Sequence, residues 1–190
     1  GNASARGGAL YLTGCDATIR ACFWHGNSAV GGIVRTKTHS AGTDHSYGGA
    51  LFCDGTVSVQ KSSFFANYCS GATGGNPYFP VNQPGNGYGG AIYNTRNLVV
   101  ENSTLASNYA GGGTVQPPLF QFERPPLEAS IGSGGAIANT GTCSLVHCTF
   151  ASNSAFSFAT NAFGTNGVSA PDTGGSIAND GTLRLEKTIL

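Results

Sequence analysis

Gly89-Gly90-Ala91-Ile92-Tyr93-Asn94-Thr95-Arg96-Asn97-Leu98-Val99-Val100-Glu101-Asn102-Ser103-Thr104-Leu105-Ala106-Ser107-Asn108 is one of several near-copies of a single phrase in this 190-residue chain. Its opening recurs as Gly7-Gly8-Ala9-Leu10, Gly48-Gly49-Ala50-Leu51, Gly134-Gly135-Ala136-Ile137 and Gly174-Gly175-Ser176-Ile177. The second glycines, Gly8, Gly49, Gly90, Gly135 and Gly175, lie 41, 41, 45 and 40 residues apart. The closing asparagine recurs as Asn27, Asn67, Asn108 and Asn153, at a step of 19, 18, 18 and 18 from the second glycine. The one extra residue of the first unit falls around Cys15-Asp16. A repeat of this length is the mark of a stacked architecture, in which one unit cannot bury its apolar side alone.

Aligning the units gives apolar columns: Leu10, Leu51, Ile92, Ile137 and Ile177; Ala17, Val57, Leu98, Cys143 and Leu183; Ile19, Val59, Val100, Leu145 and Leu185; Trp24, Phe64, Leu105 and Phe150. Within a unit these residues fall two apart, interrupted by a corner at positions such as 60 and 61, which is the period of short strands and not of helix. The sequence therefore predicts an all-β chain, a right-handed parallel β-helix of five coils starting near 7, 48, 89, 134 and 174, forming one segment over 1–190 of a longer protein. The handedness rests on general chirality. The glycine pair suits a tight corner. The asparagine column suits a turn where asparagine takes an unusual backbone angle, and its amides can bond along the stack. Long segments at 30–47, 70–88, 111–133 and 156–173, rich in Gly, Pro, Ser and Asn, read as loops inserted at one corner, the place where repeats build a binding face.

Charge is sparse and balanced, nine basic against nine acidic residues, which speaks against nucleic acid as a partner. No apolar run is long enough to span a membrane as a helix. Six cysteines are too few to replace a hydrophobic core. Asn2 and Asn102 each open an Asn-X-Ser/Thr glycosylation acceptor pattern.

The pairing of Gly-Gly-Ala-Ile (89–92 and 134–137) with Phe-x-x-Asn (64–67 and 150–153) resembles the repeats of chlamydial polymorphic outer membrane proteins and related β-helical surface proteins. Trp24 and Leu105 stand in for the phenylalanine in two units, and Ser176 for the alanine in the fifth. The resemblance implies a right-handed β-helix displayed at the cell surface and engaged in adhesion.

Candidate chemistry is thin. Asp54 and Asp180 share a column but lie three coils apart, about 14 Å at the strand spacing, too far for paired acid chemistry. Glu101 and Glu186 are two coils apart. His25 and His147 occupy coil positions, while His39, His45 and Asp44 lie in the first insert. Cys22 and Cys148, with Ser62, Ser103 and Thr188, read as small buried fillers, and Cys15 and Cys53 lie close enough in adjacent coils for a disulfide. Tyr78, Phe79, Phe120, Phe122, Phe156, Phe158 and Phe163 are the candidate interaction residues of the inserts, since exposed aromatics mark interfaces. No cofactor, metal or catalytic residue is assigned.

The expectation is thus a non-enzymatic extracellular or cell-surface structural or adhesive protein, a rod or filament component. Its partners would be further coils or copies of the same protein, or a host or neighbouring cell-surface protein or polysaccharide. The alternative is a carbohydrate-active β-helix enzyme, lyase or hydrolase, or a polysaccharide-binding module. It would draw on Asp44, Glu123, Glu128 and Asp172 as insert carboxylates.

Overall fold

A computed structural model describes residues 4–32, 44–74, 84–114, 129–158 and 174–190 of the chain. The described residues are all-β, without helix, and their named strands pair parallel in four sheets. Taken in chain order, the first sheet joins Ala5–Arg6, Ser46–Tyr47, Gly87–Tyr88 and Gly132–Ser133. The second and longest joins Leu10–Arg20 to Leu51–Gln60, then to the paired segments Ile92–Asn94 and Asn97–Glu101, Ile137–Asn139 and Thr142–Val146, Ile177–Asn179 and Thr182–Glu186. The third comprises Phe23–His25, Ser63–Phe65, Thr104–Ala106 and Thr149–Ala151. Ser28–Val30, Tyr68–Ser70, Tyr109–Gly111 and Ser154–Phe156 form the fourth.

Each unit supplies strands to these sheets, and every strand pairs with its equivalent one unit away. Ala17, Val57, Leu98, Cys143 and Leu183 are register partners in turn, as are Ile19, Val59, Val100, Leu145 and Leu185. Trp24, Phe64, Leu105 and Phe150 align likewise. The extra residue of the first unit is a bulge: the register shifts between Thr13 and Asp16, so that Gly14 and Cys15 stand opposite Gly55 alone. The inward columns form one core, with Leu51, Val59, Phe64, Ile92, Val100, Leu105, Ile137 and Leu145 fully buried. At roughly 1.5–3 kcal/mol per buried large apolar side chain, this core is the main stabilising contribution.

The two glycines of each pair do different work. The first, Gly7, Gly48, Gly89, Gly134 or Gly174, has φ between 60° and 69°, a left-handed corner. In the first four units the second, Gly8, Gly49, Gly90 or Gly135, has no room for a side chain: a Cβ on Gly90 would overlap the carbonyl oxygen of Gly135, and one on Gly49 that of Gly90. A further left-handed corner is held by Ala21, Lys61, Asn102, His147 and Lys187, all at φ near 50°.

The asparagine column bonds differently from a backbone turn. The left-handed residues are its predecessors, Gly26, Ala66, Ser107 and Ser152, and the asparagines act through their side chains. Asn27 Nδ2 donates to Asn67 Oδ1 at 2.9 Å, Asn67 Nδ2 to Asn108 Oδ1 at 2.9 Å, and Asn108 Nδ2 to Asn153 Oδ1 at 2.9 Å. The same Oδ1 atoms accept the backbone N–H of the preceding asparagine, and the Nδ2 atoms of Asn67, Asn108 and Asn153 also reach the carbonyls of Trp24, Phe64 and Leu105 one unit back. A second amide ladder runs Asn94 to Asn139 to Asn179.

Cys22, Ser62, Ser103, Cys148 and Thr188 make a third ladder where the sequence suggested mere fillers. Ser62 Oγ accepts from Cys22 N, Ser103 Oγ from Ser62 N, and Thr188 Oγ1 from Cys148 N. Cys15 and Cys53 carry free thiols, Cys15 exposed and Cys53 buried in the core, so no disulfide joins them.

The insert stems also belong to the stacked units. Asp44 O accepts from Ala72 N, Ala72 O from Gly85 N, and Gly85 O from Gly113 N. Ser130 and Phe158 exchange backbone bonds as an antiparallel bridge.

Replacing Asn108 by alanine strands the buried Asn67 N–H and Phe64 carbonyl. The expected loss is about 3 kcal/mol of unfolding free energy, read as a lowered urea midpoint. At the glycine corner, Gly90→Ala is expected to destabilise by about 3 kcal/mol or more. Gly26→Ala meets open space and is expected to cost only about 1 kcal/mol for the left-handed backbone, a contrast read in the same titration.

Candidate functional site

Outward-facing side chains flank each glycine corner on both sides. Before the corner the column reads Arg6, Tyr47, Tyr88, Ser133; after it, Tyr11, Phe52, Tyr93, Ala138, Ala178. The corner turns these columns towards each other, and their rings meet. Tyr11 stacks on Phe52 with centroids 4.9 Å apart, and Phe52 on Tyr93 at 5.5 Å. Tyr47 stacks on Tyr88 at 5.3 Å, and Tyr47 meets Tyr93 at 4.8 Å with the planes inclined by 60°. The guanidinium carbon of Arg6 lies 5.7 Å from the Tyr47 centroid and 5.4 Å from that of Phe52, within cation–π range.

Where the rings stop, a cavity of about 300 Å³ opens, lined by His45, Tyr47, Tyr88, Tyr93, Ser133, Ala138, Asn139, Thr140, Ala178 and Asp180. His45 Nδ1 accepts the backbone N–H of Asn86 at 2.9 Å, which requires an unprotonated Nδ1. Asn86 in turn donates from Nδ2 to the Tyr88 hydroxyl at 2.8 Å and accepts from Ile131 N. Burial holds the His45 pKa below its ordinary 6.5, outweighing the opposing charge of Asp44. Burial likewise raises the phenols of Tyr47 and Tyr93, so these two rings are uncharged at neutral pH.

Of the sequence-derived candidates, His45 and Asp180 reach this cavity, and the others described fall elsewhere. Phe156 is exposed and packs edge-on against Phe158 at 4.8 Å, beside the bridge to Ser130. Tyr78, Phe79, Phe120, Phe122 and Phe163 lie outside the described residues, as do Asn2, His39, Glu123, Glu128 and Asp172. Asn102 is exposed on its left-handed corner. His45 is brought to the aromatic cavity, while His25 lies on another sheet, stacked with Phe65 at 5.6 Å.

The carboxylates of the regular positions have local partners. Asp54 accepts from Thr95 at 2.9 Å, from Thr13 and from Arg96 at 3.1 Å, and these bonds hold its pKa below the usual carboxylate range. Glu101 accepts from Gln60, and Glu186 from Arg184. No group of three or more His, Cys, Asp or Glu among the described residues is placed to hold a metal.

Tyr47, Tyr88 and Tyr93 were not singled out by sequence reasoning. The available signal was aromatic residues at outward positions of short strands, directly beside the glycine pair, where polar side chains are the norm.

Protonating His45 would place a charge in its half-buried site and remove the acceptor for Asn86 N. Because its folded pKa is depressed, the unfolded chain binds the proton first, and stability falls as pH is lowered through 6.5. Urea midpoints at pH 7.5 and 5.5 are expected to show this slope, and His45→Asn, which keeps an acceptor without a titrating ring, is expected to reduce it.

No family model matches the chain, and no curated protein or solved structure matches it.

Proposed function

We propose that this chain is a segment of right-handed parallel β-helix, serving as a non-enzymatic structural or adhesive part of an extracellular or cell-surface protein. The observation that carries the reading is the axial repetition itself. Core columns and three polar ladders each run from unit to unit in unbroken register, the construction of a rod whose every unit is completed by its neighbour.

The local pairing of Asp54, Glu101 and Glu186 supports a structural role over a hydrolytic one, since glycoside cleavage needs two carboxylates free to act on one bond.

Electron microscopy of native material carrying this chain is expected to show continuous rods with an axial spacing of about 4.8 Å. An isolated molecule whose edges are covered by unrelated elements would count against the filament, and acids gathered beneath the inserts would redirect the work to polysaccharide cleavage.

A further inference from the structure

The aromatic cavity has the form of a gap in two ring columns. Tyr11, Phe52 and Tyr93 place one ring per unit, each stacked on the last, and Tyr47 and Tyr88 do the same beside them. Both columns end at the third unit. The register partners that follow are Ala138 and Ala178 in one column and Ser133 in the other. Among the described residues, the side of Tyr93 away from Phe52 has no ring against it, and the cavity opens there.

Three features define what fits there. The planes of Tyr47 and Tyr88 are inclined to Tyr93 by 60° and 56°. They make a corner and not a parallel slot, suiting a rounded group over a flat one. Asp180, exposed, brings a carboxylate to the cavity. His45 accepts a backbone N–H at Nδ1 and remains uncharged, so it sets no like charge against a cation. At the other end of the same ring columns Arg6 already occupies the surface of Tyr47 and Phe52, which shows these rings accepting an organic cation where one is supplied.

We propose that this cavity binds a methylated ammonium group, seated in the corner of Tyr88 and Tyr93, the rings that end the two columns, with its charge facing Asp180. Rings supply the attraction of their negative faces for a cation, and the carboxylate adds a salt-dependent contribution. The proposal is independent of whether the units continue into a rod.

The test is calorimetric titration of the protein with choline and, separately, with 3,3-dimethylbutan-1-ol, which has the same shape without the charge. Choline is expected to bind at least about tenfold more tightly, the range of a desolvated cation–π contact with a nearby carboxylate. Asp180→Asn, an exposed change that leaves the core untouched, is expected to weaken choline several-fold and leave the neutral probe unchanged. Ala138→Phe, which fills the vacated ring position, is expected to abolish binding, with circular dichroism confirming that the variant folds.

Equal binding of the two probes would overturn the proposal, leaving only an apolar hollow. So would a choline affinity unmoved by Asp180→Asn, or no choline binding up to about 50 mM, well above a millimolar dissociation constant. Titration with phosphatidylcholine vesicles separates the sources of the group. Binding to them as well as to choline assigns the site to lipid headgroups, and binding to choline alone assigns it to a small solute.

Discussion

The side-chain amides of Asn67 and Asn108 are fully buried, and their partners come from the units before and after them. That mutual dependence fixes everything else in the stack. A buried amide without partners costs more than a good bond returns, so a slip of one residue between units is penalised at three polar columns at once. Hydrophobic side chains cannot set register so sharply, because Val, Ile, Leu and Phe interchange within a column at small cost. The core supplies most of the stabilisation, and the ladders decide which alignment of the units receives it.

Irregularity is confined to places where that alignment is not at stake. The additional residue of the first unit is absorbed at Gly14-Cys15, an exposed stretch opposite Gly55, and the columns on both sides of it stay in step. Variation in unit length between Gly90 and Gly135 lies beyond Asn108, after the last ladder residue of the unit. Stems of the inserts nonetheless stay bonded to one another through Asp44, Ala72, Gly85 and Gly113, so the inserts leave from a braced base.

Much of this was legible in the residues. Inward side chains repeat in kind, so the columns through Val59 and Phe64 could be aligned from spacing alone, and the bulge could be placed within a residue or two. The two-residue strands such as Ser46–Tyr47 and Gly87–Tyr88 were not legible, since two residues carry no period. The column through Ser62 and Cys148 looked like filler because its bonds run to backbone N–H groups, which Ser, Thr and Cys all satisfy. Asparagine was assigned the left-handed backbone, but Ala66 and Ser107 adopt it, because the asparagine side chain is the part required. The aromatic cavity was missed for a related reason. It arises from what two columns cease to contain, and alignment draws the eye to what repeats.

The thiols give the buried stack a further property. Desolvation pushes Cys69 and Cys143 up to about 12, and nucleophilic attack by sulfur requires the thiolate. In the folded chain these two groups are chemically silent at neutral pH, whereas Cys15 and Cys22 stand at the surface. Oxidants and alkylating reagents will therefore leave Cys69 and Cys143 untouched while the units stay together. Labelling of the interior thiols becomes a clock for the separation of one unit from the next.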